Sequence, residues 1–281
     1  MTEAITVLGL GPMGHALAAA FAKAGHPTTT WTRTATRPTP PGTTRAASVA
    51  EAVAASPLTV VCLIDYAATR AVLAQATDEL KGRHLVVLTS GSPESARALA
   101  AWAADHGITY TDGAIMTPVD SIGTDAAAVL HSGQQVDMAA LGGTQRYLGE
   151  DPGRAAGYDV ALLDLFWTSV AGVVHAFAMA RAENIPATEL APLAKGIGTL
   201  IPWVIDEIGE RVEADRHDDG SSNIASAAAG MAHIIETAQA RGIDASVMRA
   251  AHALATRAIE AGHGADEVSR LTVELERAAR S

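Results

Sequence analysis

Gly9, Gly11 and Gly14, in the run Gly9-Leu10-Gly11-Pro12-Met13-Gly14, have the types and spacing to cradle a pyrophosphate. The run follows the apolar stretch ITVL and opens an Ala-rich segment, HALAAAFAKAG. Gly9 permits the tight turn out of a strand. Gly11 lets backbone approach the phosphates, and Gly14 lets the helix sit close to the sheet. The phosphates would rest on unpaired N–H groups at the positive end of the helix. A second strand ends at Trp31-Thr32-Arg33-Thr34, with Arg37 close behind and no acid at its tip. A carboxylate there would hold ribose hydroxyls, whereas a guanidinium pairs with a 2′-phosphate through two directed hydrogen bonds. Arg33, flanked by the hydroxyls of Thr32 and Thr34, therefore asks for NADP(H). The alternative is that Arg33 is a solvated loop residue. Arg37, inside the Pro-rich RPTPPG, can point either way.

The elements that must position these residues alternate. Short apolar runs at 4–8, 27–32, 58–64, 84–89 and 108–112 predict strands, with helices between them at 13–24, 48–55, 67–80 and 93–106. Such alternation gives a parallel sheet wound on both faces. Further strands around 114–117 and 126–131 and a helix near 135–145 extend it, and residues 35–45 read as an irregular loop. Leu63, Ile64 and Asp65 follow the third strand and skirt the cofactor. Thr89 and Ser90 follow the fourth, where open sheets contact ligands. Ser92 before Pro93 has the pattern of a helix cap.

After about residue 155 the pattern becomes helical. Tyr158 to Asn184 contains no proline and predicts one helix on the order of 40 Å long. It is too apolar around its circumference to face water, so a second copy of the chain is expected to cover it in a homodimer with interlocked helical domains. Further helices are expected at 188–213, 221–241 and 245–261. The domains divide as 1–156, a dinucleotide-binding α/β domain, and 157–281, a helical substrate and dimerisation domain that begins with the long helix.

The chain has 281 residues, with 20 Lys and Arg against 31 Asp and Glu, a net charge of −11. That balance argues against nucleic acid or an anionic membrane as partner. Cys62, the single cysteine, lies in the apolar run LTVVCLI and reads as a core residue, which suits a reducing cytoplasm. No stretch approaches the roughly 18 consecutive apolar residues of a membrane span, and the N-terminus lacks the pattern of a signal peptide. His175 and His233 sit on apolar helices without paired-histidine spacing, so no metal is expected.

The chain resembles the imine reductases, including reductive aminase-like members, within the β-hydroxyacid dehydrogenase superfamily related to 6-phosphogluconate dehydrogenase. The stretches that carry the likeness are GLGPMG at 9–14, WTRT at 31–34, LTSGSP at 88–93, DGAIMTP at 112–118, LHSG at 130–133, GYDVALLDLFW at 157–167, GVVHAFAMA at 172–180 and MAHI at 231–234. The resemblance implies a Rossmann-type domain, a long interdomain helix, an all-helical second domain, and an apolar cleft between subunits in which NADPH reduces an imine. β-Hydroxyacid dehydrogenases carry a catalytic lysine near the start of the long helix; Asp159 occupies that position here. No lysine occurs from 82 to 194 to replace it.

That exchange changes the chemistry. Alcohol oxidation needs a base for the hydroxyl proton and a cation to steady the growing carbonyl oxygen, and an Asp supplies only the first. C=N reduction has an iminium cation as its reactive form. A carboxylate stabilises that cation, and a protonated carboxyl delivers a proton. The alternative for Asp159 is a helix-terminal acid that complements the dipole, worth up to about 1 kcal/mol. Tyr158 is either a phenol donor or a packing residue at the domain junction. Trp167, two turns beyond Asp159, is an aromatic wall for a cyclic amine or a core residue, and Asp164 a polar helix position or a second pocket acid. By resemblance, Val87, Trp203, Met231 and Ala232 line the pocket. Val87 stands where reductive aminases often carry Asn, which favours a preformed cyclic imine over a free ketone and amine. Two other functions fit the same residues: a β-hydroxyacid-type dehydrogenase with an atypical acid–base group, and a non-catalytic NADPH-binding protein.

Overall fold

The computed structural model describes residues 2–220 and 222–278. By internal contacts the chain forms two compact units, Met1–Phe166 and Trp167–Ser281.

The first unit is built on eight strands: β1 (Ile5–Leu8), β2 (Thr28–Trp31), β3 (Thr43–Arg45), β4 (Leu58–Val61), β5 (His84–Val87), β6 (Thr109–Ile115), β7 (Ala128–Gly133) and β8 (Thr144–Tyr147). They lie in the order β3-β2-β1-β4-β5-β6-β7-β8, parallel except for the β6–β7 pair. The order reverses between β1 and β4, the place where a doubly wound sheet opens a crevice for a ligand. Helices α1 (Pro12–Lys23), α2 (Val49–Ala54), α3 (Tyr66–Leu73), α4 (Thr77–Leu80) and α5 (Pro93–Asp105) cover the sheet. Successive side chains on a strand face opposite ways, so the core splits into two layers. Leu8, Val61, Leu85 and Val87 pack with Val53, Leu73, Leu99 and Trp102. Val7, Val60 and Val86 pack with Leu17, Phe21 and Leu141 on the other side. Each fully buried Leu or Val contributes on the order of 1.5–3 kcal/mol.

Helix starts follow their caps. Ser48 accepts from Glu51 N–H, Asp65 from Ala68 N–H at 2.6 Å, and Ser92 from Ser95 N–H ahead of Pro93. The strands expected at 108–112 and around 114–117 are the single strand β6, and three other parts of this unit differ from expectation. The segment 67–80 is two helices, because the chain turns at Ala76 and restarts at Thr77 with Asp78 and Glu79 in its first turn, where the dipole favours acids. The helix expected near 135–145 is a single 3-10 turn over Ala139–Leu141 followed by β8. Gly142 and Gly143 adopt φ of 81° and 51°, and a Cβ on either would lie within 2.3 Å of a backbone oxygen, so they end any helix there. The loop 35–45 includes β3, whose β-branched Thr43 and Thr44 pair with Thr28 and Thr29 at the sheet edge.

Helix α6 (Arg154–Ala182) starts four residues earlier than expected, after Asp151 accepts the Gly153 N–H. It stops at the left-handed Asn184, where Ile185 N–H returns to the Ala180 carbonyl. The division between units falls inside this helix, because Ala155, Ala156 and Asp159 are buried whereas the following turns are not. By length and composition alone α6 could cross a bilayer, yet it carries Asp159 and Asp164, which a lipid-facing helix would rarely hold.

The second unit continues with α7 (Ala187–Gly198), α8 (Ile201–Glu213), α9 (Ile224–Ala240), α10 (Ser246–Glu260) and α11 (Leu271–Ala278). The span 188–213 is broken at Thr199-Leu200 ahead of Pro202, a residue suited to a first helical turn. The helix expected from 221 begins at Ile224 behind its Asn223 cap, and Ser221 lies outside the described residues. Helix α11 is an addition to the expected set. The core of this unit is small: Ile224, Ala228, Ala255 and Ala258, with Leu271 against them.

Candidate active site

The glycine run lies at the end of β1, as its spacing requires. Gly9 has φ +103°, and a Cβ there would stand 2.3 Å from the Cys62 carbonyl oxygen. A Cβ on Gly14 would stand 2.0 Å from the Gly9 carbonyl oxygen, so the first turn of α1 can touch the strand–helix turn only without a side chain. Gly11 is different: it caps α1 in extended backbone, and its nearest outside atom is Arg37 Nη1 at 3.7 Å. No side chain caps α1, Pro12 occupies its first turn, and no acid is present there. The leading N–H groups thus lack intrahelical partners and face no competing carboxylate, the arrangement that receives a phosphate. Leu10 is buried in the core and Met13 is partly buried against it, so both support the turn from beneath.

Arg33 and Thr34 are exposed just past β2, with Thr32 half-buried before them. The Arg37 guanidinium donates to the Leu10 carbonyl at 2.8 Å, beside Gly11. Arg45, which the sequence did not single out, donates to the carbonyls of Ala35 and Arg37 and to Thr39 Oγ1, and so braces the basic loop. Across the crevice, Ile64 is 87% exposed in the β4–α3 turn. The residues at this crevice fit a 2′-phosphorylated dinucleotide: an open helix terminus, glycines that no Cβ can replace, and cations rather than a carboxylate at the end of β2.

Two expected contact residues are turned inward. Thr89 is buried, and its hydroxyl accepts the Leu63 N–H at 3.2 Å, which ties the ends of β4 and β5 together. Val87 is a correction. It is wholly buried in the layer beneath α3 and α5 and cannot present a pocket wall, because its alternation with Val86 and Leu88 points it into that layer.

Asp159 is the second focus. It lies in the second turn of α6, 3% exposed, while its neighbour Tyr158 is 39% exposed, as the 100° step between helical neighbours allows. The Ser90 hydroxyl, from the β5–α5 loop, donates to its carboxylate. Burial raises the Asp159 carboxyl above the usual range, and the Ser90 hydrogen bond opposes that rise. Within electrostatic reach is a group that the sequence pattern does not mark. Asp112, in β6 and 1% exposed, accepts hydrogen bonds at Oδ1 from Tyr66 and, at 2.9 Å, from Tyr110. Burial pushes its carboxyl up to about 7 although both phenols favour the ionised form. Tyr66 lies over Gly91, where a Cβ would come within 2.5 Å of the ring. The signal available in the chain was a carboxyl inside a central strand, with Tyr110 two residues earlier on the same face.

The remaining expected residues belong to the second unit. Trp167 and Trp203 are 62% and 55% exposed on α6 and α8, Met231 is half-buried and Ala232 exposed on α9. This unit carries an open apolar groove of about 440 Å³ lined by Gly172, His175, Met179, Leu190, Ile234 and Met248. The larger recess of the first unit, about 690 Å³, is lined by Thr109, Gln134, Tyr147 and Glu150 and contains none of the expected site residues. Among the described residues no group of three or more His, Cys, Asp or Glu could hold a metal ion.

Compared with known proteins, residues 151–277 match the NADPH-dependent reductive aminase-like C-terminal domain, and residues 4–142 the NAD binding domain of 6-phosphogluconate dehydrogenase. The chain is 30% identical over 290 residues to an NADPH-dependent reductive aminase of Aspergillus oryzae, covering 96% of both chains. An imine reductase from Myxococcus stipitatus in complex with NADP+ superposes with a TM-score of 0.92 at 34% identity, over 97% of this chain and 99% of that one. A reductive aminase from Aspergillus terreus, in complex with NADPH4, cyclohexanone and allyl amine, does so at 0.90 and 34%, over 98% and 100%. A Streptomyces aurantiacus imine reductase gives 0.89 and 32%, over 97% and 99%.

Proposed function

We propose, for a chain that belongs to the family of NADPH-dependent imine reductases and reductive aminases, that its substrate is a preformed cyclic imine and that Asp159 is the group that answers it. The enzyme is an oxidoreductase that reduces C=N bonds to amines with NADPH. When bound, the cofactor supplies the hydride; the chain's own residues bind, orient and handle the proton.

The first turn of α1 holds the pyrophosphate, with Gly9 and Gly14 allowing the close packing and Gly11 the close approach. Arg33 and Arg37 pair with the 2′-phosphate, and Arg45 keeps their loop in place. Thr89 holds the Leu63 backbone, and Ser90 orients Asp159. Asp159 stabilises the cation as a carboxylate, or protonates the imine nitrogen as an acid. Trp167, Trp203, Met231 and Ala232, with Tyr158, supply apolar and aromatic walls for a cyclic amine. The observation that carries this reading is Asp159: a buried carboxyl, hydrogen-bonded to Ser90 and paired with no cation among the described residues, at the place where β-hydroxyacid dehydrogenases carry lysine.

A homodimer with interlocked helical domains belongs to the same reading. Val173, Val174, Leu193, Ile197 and Ile205 are exposed within the single chain, and burying such faces against a second copy removes a large apolar surface from water. The two domains divide at about residue 157, the protein binds neither nucleic acid nor membrane, and its single cysteine suits the cytoplasm. The test is NADPH consumption and amine formation with a panel of cyclic imines, against the same ketones with free amines. Turnover of ketone and amine as fast as of the cyclic imine would refute the substrate assignment, and equal rates for the parent and Asp159→Asn would refute the role of Asp159.

A further inference from the structure

The carboxyl of Asp112 is held in an unbalanced way. Both phenols, Tyr66 and Tyr110, donate to Oδ1, and Oδ2 is buried with no hydrogen-bond partner among the described residues. An ionised carboxylate so placed would bury a bare anionic oxygen, whereas a protonated one carries its hydrogen on Oδ2 and accepts both phenols on its carbonyl oxygen. The phenols cannot take over the charge, since burial and the neighbouring carboxylate push both far above their ordinary values. Asp159 is near enough to raise the carboxyl of Asp112 and the phenol of Tyr66.

The elements packed around the pair bring no cation to it. On β5, His84 hydrogen-bonds Thr111 and is lowered by burial; on β7, His131 is lowered likewise. On α3, Arg70 lies over the Trp102 ring, and on α5, Arg97 is engaged by Asp151 and Glu94. Among the described residues no ion pair reaches Asp112 or Asp159, so no cation offsets the like charge of Asp159 that raises the Asp112 carboxyl.

We propose that Asp112 is a second carboxyl group of the reaction site, sharing one proton with Asp159 and holding it in the resting protein, so that Asp159 stays ionised to receive a cationic substrate. Asp112 acts through Asp159 and is a positioning residue. Tyr66 and Tyr110 fix its orientation, and Ser90 keeps the negative charge on Asp159. This rests on the imine-reducing role assigned to Asp159, but the proton sharing is measurable without any reaction.

The experiment is infrared titration of the substrate-free protein, reading the protonated-carboxyl band, in the parent, Asp112→Asn, Asp159→Asn and Tyr66→Phe. In the parent, one buried carboxyl loses its proton near the value of about 7 set by burial of Asp112. The band disappears in Asp112→Asn. It titrates at lower pH in Asp159→Asn, where the like charge is gone, and about one pH unit higher in Tyr66→Phe, where a donor to the ionised form is lost. The pH profile of kcat on a cyclic imine loses the same limb in Asp112→Asn and moves with it in Tyr66→Phe. A merely structural role would lower stability or rate without moving a midpoint. A band that persists in Asp112→Asn, or a midpoint that ignores Asp159→Asn, overturns the proposal. If the band behaves as stated but no cyclic imine is consumed, the proton sharing stands and the assigned substrate falls. Should Asp112→Asn not fold, Tyr66→Phe alone decides.

Discussion

Replacing Gly11 and Gly14 separately by alanine divides the two jobs of the glycine run. At Gly14 the new methyl would sit 2.0 Å from the Gly9 carbonyl oxygen and 3.0 Å from its carbon, so α1 and the turn must separate. Neither atom belongs to a flexible side chain that can swing aside. Overpacking of this kind costs about 1–3 kcal/mol, and in a domain of this size each kcal/mol lowers Tm by roughly 2–4 °C. A mid-range loss of about 2 kcal/mol thus lowers Tm by roughly 4–8 °C. At Gly11 the backbone, φ −63° and ψ 176°, is open to any residue, and the nearest outside atom is 3.7 Å away. Gly11→Ala therefore leaves the cofactor-free Tm unchanged or slightly raised, by roughly 0.4–1 kcal/mol from the stiffer unfolded chain. The same methyl stands where the backbone must approach the pyrophosphate, so the NADPH Kd rises at least about tenfold, or 1.4 kcal/mol. Thermal unfolding without cofactor and fluorescence titration with NADPH read the two effects. A Gly11→Ala protein that loses stability yet binds NADPH as before would refute the division, as would a Gly14→Ala protein unchanged in Tm.

Arg33→Glu should weaken NADPH by roughly ten- to a hundredfold, the loss of about 1.5–3 kcal/mol from a charged hydrogen bond, and leave NADH little changed; equal losses for both would remove the phosphate contact. Asp159→Asn should lower kcat on a cyclic imine by about 10²–10⁴-fold without lowering Tm, since a neutral amide replaces a buried charge; stopped-flow NADPH oxidation and thermal unfolding check the pair. Asp112 has a raised folded pKa, from 3.8 to about 7, so the native state holds the proton in that window while the unfolded chain has released it. Stability of the parent therefore falls as pH rises from about 4 to about 7 and levels off above, by on the order of 4 kcal/mol at 1.36 kcal/mol per pH unit. Asp112→Asn lacks this slope, and denaturant unfolding across that range compares the two. Sedimentation velocity should give a dimer whose apolar face is covered, and Leu193→Glu with Ile197→Glu should shift it to monomer; a parent monomer at micromolar concentration would refute the pairing.

The dinucleotide crevice was legible in the chain because its requirements are local. A strand, three glycines at set intervals, a helix and a basic tip each act over a few residues, and backbone sterics alone determine where a Cβ fits. The alternating apolar runs likewise set the order of elements, since a buried parallel strand must be apolar on both faces. Where the elements depart from the periodic pattern, a local feature outweighs the average: Gly142 and Gly143 end a helix, and Pro202 splits another. Asp159 stands out in the sequence only through its place relative to a family pattern; as a lone helical acid it reads as a dipole partner. What only the tertiary structure decided is the company it keeps. Tyr66 comes from α3 to Asp112 in β6, and Ser90 from the β5–α5 loop to Asp159, through tertiary packing rather than sequence spacing. Burial, which no residue carries in its own identity, then raised both carboxyls. It also took Val87 and Thr89 inward, Val87 because strand alternation points it into a covered layer and Thr89 because its hydroxyl holds the Leu63 N–H.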